Sequence, residues 1–206
     1  MAEPRLLALG DSYTIGEGVE EAGRWPMQLA ARLHGEGIAV AEPAIVATTG
    51  WTTDELAAAM DAASFAPPYA LVTLLIGVNN QYRGRDLDEY RSEFRALLAR
   101  AIALAGGDAR RALVVSIPDW GVTPFARGQG RDAGAIAAAI DAFNAVNRAE
   151  AAAQGVAWVD VTDLSRDRGD STAMLATDGL HPSAAQYARW VERILPAARR
   201  ALAQSR

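Results

Sequence analysis

Short, nearly continuous apolar runs rich in Leu, Val and Ile alternate along the chain with longer alanine-rich segments in which apolar residues recur every three or four positions. The first pattern predicts strands covered on both faces, and the second predicts amphipathic helices that cover them. Strands are predicted at Arg5–Leu9, Ile38–Ala47 with an interruption at Pro43, Ala70–Ile76, Ala112–Ile117 and Val156–Val161. Helices are predicted between and after them, at Trp25–His34, Thr53–Ala63, Leu87–Ala105, Ala133–Gln154 and Ser183–Gln204. Repeated βα units of this kind specify an α/β fold around a parallel sheet. Thr53 and Ser183 suit helix N-caps, and the alanine-rich stretch after Asp132 carries Ile136, Ile140, Phe143 and Val146 at helical spacing, which marks a packed helix rather than low complexity.

In an open α/β sheet, ligands bind beyond the carboxyl ends of the strands. Function is therefore sought in the five segments that follow them, read as loops: Gly10–Gly23, Thr48–Thr52, Gly77–Asp86, Pro118–Arg131 and Thr162–Pro182. Into these fall Ser12, Gly50, Asn79, the aromatics Trp51, Tyr82, Trp120 and Phe125, and the pair Asp178 and His181. The segments are only moderately long, and none contains the long amphipathic helix expected of a lid over a lipid-binding groove.

Composition narrows the chemistry. The 206 residues, against about 150 for a typical domain, fit one domain over 1–206, with no break in composition. There is no Cys and no Lys; all 20 basic residues are Arg, and His occurs only at His34 and His181. That removes thiol nucleophiles, thiolate metal sites, disulfides, the P-loop lysine, Schiff bases and the Ser–Lys dyad. A two-histidine metal motif would need close spacing, so a histidine-based zinc site is not expected. The formal charge of −5, with 25 acidic residues interspersed among the basic ones, argues against a nucleic-acid surface. No run reaches the ~18 uninterrupted apolar residues of a membrane span, and the apolar Leu6–Leu9 stretch behind Arg5 is too short for a signal-peptide core. The cytoplasm is the default compartment on that reading, although an export signal removed in processing would leave the same sequence. Hydroxyl, carboxylate and single-histidine chemistry survive.

His181 stands in Thr177-Asp178-Gly179-Leu180-His181-Pro182. An Asp three residues before a His can fold back to accept from Nδ1–H, which fixes the tautomer that leaves Nε2 free as a base, and Gly179 supplies the backbone freedom. Alone, the pattern equally describes a solvated loop with the histidine packed under the last helix. Ser12, in Leu9-Gly10-Asp11-Ser12-Tyr13, is the nucleophile candidate, since it projects from the carboxyl edge of the sheet and Gly10 permits a turn that a Cβ would obstruct. It does not match the G-x-S-x-G elbow, and Gly-Asp-Ser by itself also reads as an ordinary strand-ending turn with Asp11 as a cap. Gly50 and Asn79 can donate a backbone N–H and a side-chain NH₂ to a developing oxyanion, or serve simply as turn residues. His34, ending a helix, reads as a surface residue or a partner of the helix C-terminus, and Arg83 and Arg85 as a solvated loop.

Taken in order, Gly10-Asp11-Ser12, Gly50, Gly77-Val78-Asn79-Asn80 and Asp178-Gly179-Leu180-His181 resemble the four motif blocks of the SGNH, or GDSL-type, hydrolase family of esterases and lipases. The resemblance runs from Gly10 to His181. It implies a flavodoxin-like three-layer α/β/α sandwich with a five-stranded parallel sheet in the order 2-1-3-4-5. It also implies Ser12 as nucleophile, His181 as base, Asp178 as its orienting partner, and Ser12, Gly50 and Asn79 as the oxyanion hole, without cofactor or metal. Two positions depart from the family pattern: Asn80 stands where Asp is usual, and Tyr13 where Leu is common. Trp51, Asn80 and Trp120 are expected at a small-molecule ester substrate. The expected activity is a serine esterase for small carboxylic esters, with acetyl or other short acyl groups, carbohydrate-borne ones included. The alternatives are an acyltransferase and a non-catalytic ligand-binding module on the same scaffold. A flavodoxin-like nucleotide binder is disfavoured, because the first loop lacks a phosphate-cradling glycine series.

Overall fold

The computed structural model describes residues 3–203. Five strands, β1 (Leu6–Gly10), β2 (Ala44–Ala47), β3 (Leu71–Leu75), β4 (Ala112–Val115) and β5 (Ala157–Val159), form one sheet in the order β2-β1-β3-β4-β5. Every pairing is parallel, with Leu7 opposite Ala44, Leu9 opposite Leu74, and Leu74 opposite Val114. All residues of β1, β3 and β4 are buried, as their unbroken apolar runs require. Each fully buried Leu or Val there contributes about 1.5–3 kcal/mol relative to exposure.

Right-handed crossovers decide where the helices go. The chain moves from β1 to β2 in one direction and from β2 through β3 and β4 to β5 in the other. The helix α2 (Trp25–Gly35) therefore falls on one face, packed against α9 (Ala184–Ala203), while α3 (Thr53–Ala62), α5 (Leu87–Leu104) and α7 (Ala133–Ala153) pack in a row on the other. Local chemistry starts these helices where they start. Thr52 and Glu55 form a capping box at α3, Asp86 accepts from the N–H groups of Asp88 and Glu89 at α5, and Asp132 accepts from Ala135 at α7. Ser183 Oγ accepts from the N–H of Gln186 at the start of α9. The predicted last residue of α9, Gln204, lies outside the described residues.

Four strands are shorter than their apolar runs, β3 by only one residue at each end. The run 38–47 yields only Ala44–Ala47, because Pro43 has no N–H to donate and the edge position gives its residues one neighbour. The run 112–117 leaves the ladder after Val115, where Ile117 N–H and C=O pair instead with the Asn144 side-chain amide of α7, at 2.8 and 2.9 Å. The run 156–161 yields only Ala157–Val159.

Four of the five segments read as loops contain short helices: α1 (Ser12–Ile15), α4 (Val78–Tyr82), α6 (Pro124–Gly128) and α8 (Thr162–Arg168). None exceeds seven residues, too short to display a helical period in the sequence. Among the described residues no helix is long and apolar enough to cross a membrane.

Candidate active site

Ser12 stands one residue beyond β1, after Asp11, and opens α1. Asp11 caps that helix, its Oδ1 accepting from Tyr13 N–H at 3.0 Å. As the first helical residue, Ser12 has an N–H with no acceptor inside the helix. Gly10 is required by space: a Cβ there would lie 2.3 Å from Thr14 Oγ1 and 2.4 Å from the carbonyl oxygen of Leu75, so no side chain fits between α1 and β3.

The Asp178–His181 turn is fixed from both ends. Ala176 N–H donates to the His181 carbonyl at 2.7 Å, and Leu175 bridges Pro182. Within the turn, Gly179 takes φ +67°, a left-handed conformation. Asp178 Oδ1 accepts from the N–H groups of Leu180 and His181, at 2.9 and 3.0 Å, which leaves Oδ2 to meet His181 Nδ1 at 2.6 Å. Partial burial of Asp178 favours its protonated form. The hydrogen bonds from His181 and the two N–H groups outweigh that and hold its pKa below the ordinary carboxylate value. An ionised carboxylate on Nδ1 keeps the proton there and leaves Nε2 unprotonated in the neutral ring. The edge of Tyr13 meets the His181 ring at 5.6 Å between centroids.

Ser12 and His181 line one cavity of about 220 Å³, together with Gly50 and Asn79. Tyr82, Trp120 and Phe125 wall it, and Tyr13, Thr49, Val78 and Leu180 complete the lining. Trp120 is held in place by its Nε1–H, which donates to Gln81 Oε1 at 2.8 Å, and by edge-on contacts with Tyr82 and Phe125. Asn79 Nδ2 donates to the Trp51 carbonyl at 2.8 Å; a primary amide has a second N–H, which this bond does not use.

Two residues expected at the substrate stand elsewhere. Asn80 is fully buried, its Oδ1 accepting from Thr53 N–H at 3.1 Å and its Nδ2 donating to Thr53 Oγ1 at 2.6 Å; both side-chain hydrogen bonds are directed at the start of α3. Trp51 packs its half-buried ring against the hydrophobic core and contributes only its carbonyl to this region, as the acceptor for Asn79. Position in a loop did not disclose side-chain direction in either case. Arg83 and Arg85 are not simply solvated: Arg83 donates to the Gly50 carbonyl at 2.6 Å and to Glu55, and Arg85 pairs with Asp54 at 2.6 Å. His34, exposed in the last turn of α2, lies with Nε2 2.6 Å from the Val40 carbonyl. Thr49, Val78 and Leu180 were not singled out in the sequence, and Tyr13 only as a departure from the family pattern; the signal for their place here was adjacency to Ser12, Gly50, Asn79 and His181.

Beneath the cavity, Asp11 is the capping residue and also a buried acid without a cationic partner. Its Oδ2 finds no hydrogen-bond partner among the described residues. Burial raises its pKa to about 7, with the Tyr13 N–H bond opposing the shift. Among the described residues there is no cluster of three or more His, Cys, Asp or Glu side chains able to hold a metal ion.

Solved structures with the same fold span nearly the whole chain. TesA superposes with a TM-score of 0.74 at 24% identity, covering 96% of this chain and 99% of that one. The acetylxylan esterase Axe2 from Geobacillus stearothermophilus gives 0.73 at 20%, covering 95% and 94%. The psychrotrophic esterase EstA from Pseudoalteromonas sp., in a structure inhibited by monoethylphosphonate, gives 0.72 at 14%, covering 98% and 100%. Among curated proteins no match is found. The sequence model of the GDSL-like lipase/acylhydrolase family matches residues 8–189, a stretch that holds Ser12, Gly50, Asn79, Asp178 and His181, and the chain therefore belongs to that family.

Proposed function

We propose that this chain is a serine esterase that cleaves small carboxylic esters through an acyl-Ser12 intermediate. The observation that carries the reading is that Ser12 and His181 line the same cavity while Asp178 holds Nδ1 of that histidine at 2.6 Å. His181 Nε2 takes the Ser12 proton as Oγ attacks the ester carbonyl, and returns it to the departing alcohol. Water then attacks the acyl-enzyme by the same route, again with His181 as base. Negative charge on the carbonyl oxygen is met by the N–H groups of Ser12 and Gly50 and by the second amide N–H of Asn79.

The cavity volume and its aromatic walls favour an acetyl or similarly short acyl group, carbohydrate esters included. One structural neighbour, Axe2, is an acetylxylan esterase, which agrees with this choice. The test is labelling with a fluorophosphonate followed by mass-spectrometric mapping, together with kinetics of Ser12→Ala. The label is expected on Ser12, and the alanine variant is expected to lose about 10⁴-fold or more in kcat while remaining folded. A label on another residue, or a folded alanine variant with near-full activity, overturns the reading.

A further inference from the structure

The outer side of the cavity wall carries a cation. Arg131, in the segment after α6, places its guanidinium carbon 5.4 Å from the Tyr82 ring centroid and 5.2 Å from that of Trp120. Both rings line the cavity that holds Ser12 and His181. The Arg131 side chain is exposed and makes no ion pair or hydrogen bond among the described residues, so its guanidinium N–H donors are open to solvent. Arg83, near Gly50, is different, for its guanidinium is already spent on the Gly50 carbonyl and Glu55. Tyr82, at 41% exposure, is the one large apolar side chain exposed among the described residues, and it forms the step between the cavity and Arg131.

A cation stacked on two rings keeps its charge and loses much of its positional freedom, so it interacts with a neighbouring anion at lower entropic cost than a free surface arginine. We infer that Arg131 is a specificity residue of this site, favouring esters that carry an anionic group on the portion emerging from the cavity over Tyr82. The assignment rests on the esterase reading and adds to it the charge class of the substrate.

The test compares kcat/KM for two matched pairs in wild type, Arg131→Gln, Arg131→Lys and Arg131→Glu. The nitrophenyl half-ester of glutaric acid against nitrophenyl hexanoate places the charge on the acyl half. Carboxyphenyl acetate against phenyl acetate places it on the alcohol half. The expected result is a fall of about two- to five-fold in the anionic-to-neutral ratio for at least one pair in Arg131→Gln, a larger fall in Arg131→Glu, and retention in Arg131→Lys. The wild-type ratio should also shrink as salt is added. Ratios that stay the same in all variants of an active enzyme overturn the assignment, as does an equal fall in Arg131→Gln and Arg131→Lys with no salt dependence, which would make the residue a packing support for Tyr82 and Trp120. Wild-type turnover of the neutral esters no higher than that of Ser12→Ala is a different outcome, and it overturns the esterase reading together with this one.

Discussion

The molecule has a larger depression than the one lined by Ser12. A cleft of about 550 Å³ opens between α7, β5 and α8, bordered by Asp141, Arg148, Trp158, Asp160, Asp163, Arg166 and Asp167. Most of its charged groups are already paired, with one another or with side chains outside it, while Arg148 lies over the Trp158 ring with its guanidinium carbon 5.2 Å from the centroid. Arg166 joins Asp119 and Asp141, Arg193 joins Asp163, and Arg189 joins Asp167, all at 2.6 to 3.0 Å, while Asp160 accepts from Ser116 and from Thr162 N–H. In the smaller cavity the polar groups are held from behind and left open in front: His181 by Asp178, Asn79 by Trp51, Ser12 by the cap at Asp11. Volume therefore does not distinguish the two. What does is whether the polar atoms have used up their hydrogen-bonding capacity on the protein itself.

That contrast can be broken in four ways, from the largest expected effect downward. Asp178→Asn removes the acceptor that selects the Nδ1–H tautomer, and kcat is expected to fall by up to about 10⁴-fold with the fold intact. Steady-state kinetics beside a circular dichroism melt checks this, and full activity in the variant removes Asp178 from the mechanism.

The second test uses Asp11, whose burial without an arginine is the opposite of the condition in the large cleft. Its folded-state pKa of about 7 lies above the ordinary 3.8, so between those values the folded protein keeps a proton that the unfolded chain releases. Stability is then fully present below the unfolded value and is lost as pH rises through the folded one, at about 1.4 kcal/mol per pH unit. Urea midpoints measured between about pH 5 and about pH 8 are expected to report a loss of about 3 kcal/mol, and Asp11→Asn should flatten that slope.

Arg166→Met is the complementary change. It leaves Asp119, only 1% exposed, without its cation, and is expected to cost about 1–3 kcal/mol in chemical denaturation while ester turnover stays at the wild-type level. A loss of turnover out of proportion to the loss of stability would join the large cleft to the chemistry. The smallest effect concerns size. Each additional acyl methylene should gain at most about 0.8 kcal/mol while buried and nothing beyond the cavity mouth. A nitrophenyl ester series is therefore expected to peak in kcat/KM at about C2 to C6, and a maximum at about C12 would require a longer tunnel than this cavity.

What the sequence made legible was local. The parallel sheet follows from βα alternation, its strand order was implied only by the resemblance to the family, and the 2.6 Å contact between Asp178 and His181 joins residues separated by two positions, with Gly179 marking the bend. Positions that depend on side-chain direction across loops were not legible. Asn80 and Trp51 were expected at the substrate because their neighbours are there, yet one points beneath the loop to Thr53 and the other lies against the core. The C-terminal end of β4 was also hidden, since the partner that replaces the ladder at Ile117 is an asparagine 27 positions later on α7. No periodic pattern encodes an amide that imitates a neighbouring strand.

The hydrogen bonds between Asn80 and Thr53 have a bearing on how such enzymes can be re-engineered. Together with Asn79 to Trp51, Arg83 to Gly50 and Arg85 to Asp54, they tie the segment after β3 to the segment after β2 at four separate side chains. The two segments are one mechanical part made from two stretches of chain. A graft that imports residues 77–86 into a related scaffold without residues 50–55 would carry half of the latch and meet a surface with nothing to fasten to. Exchanged as a pair, they should keep the spacing between Gly50 and Asn79 whatever helices lie beneath them.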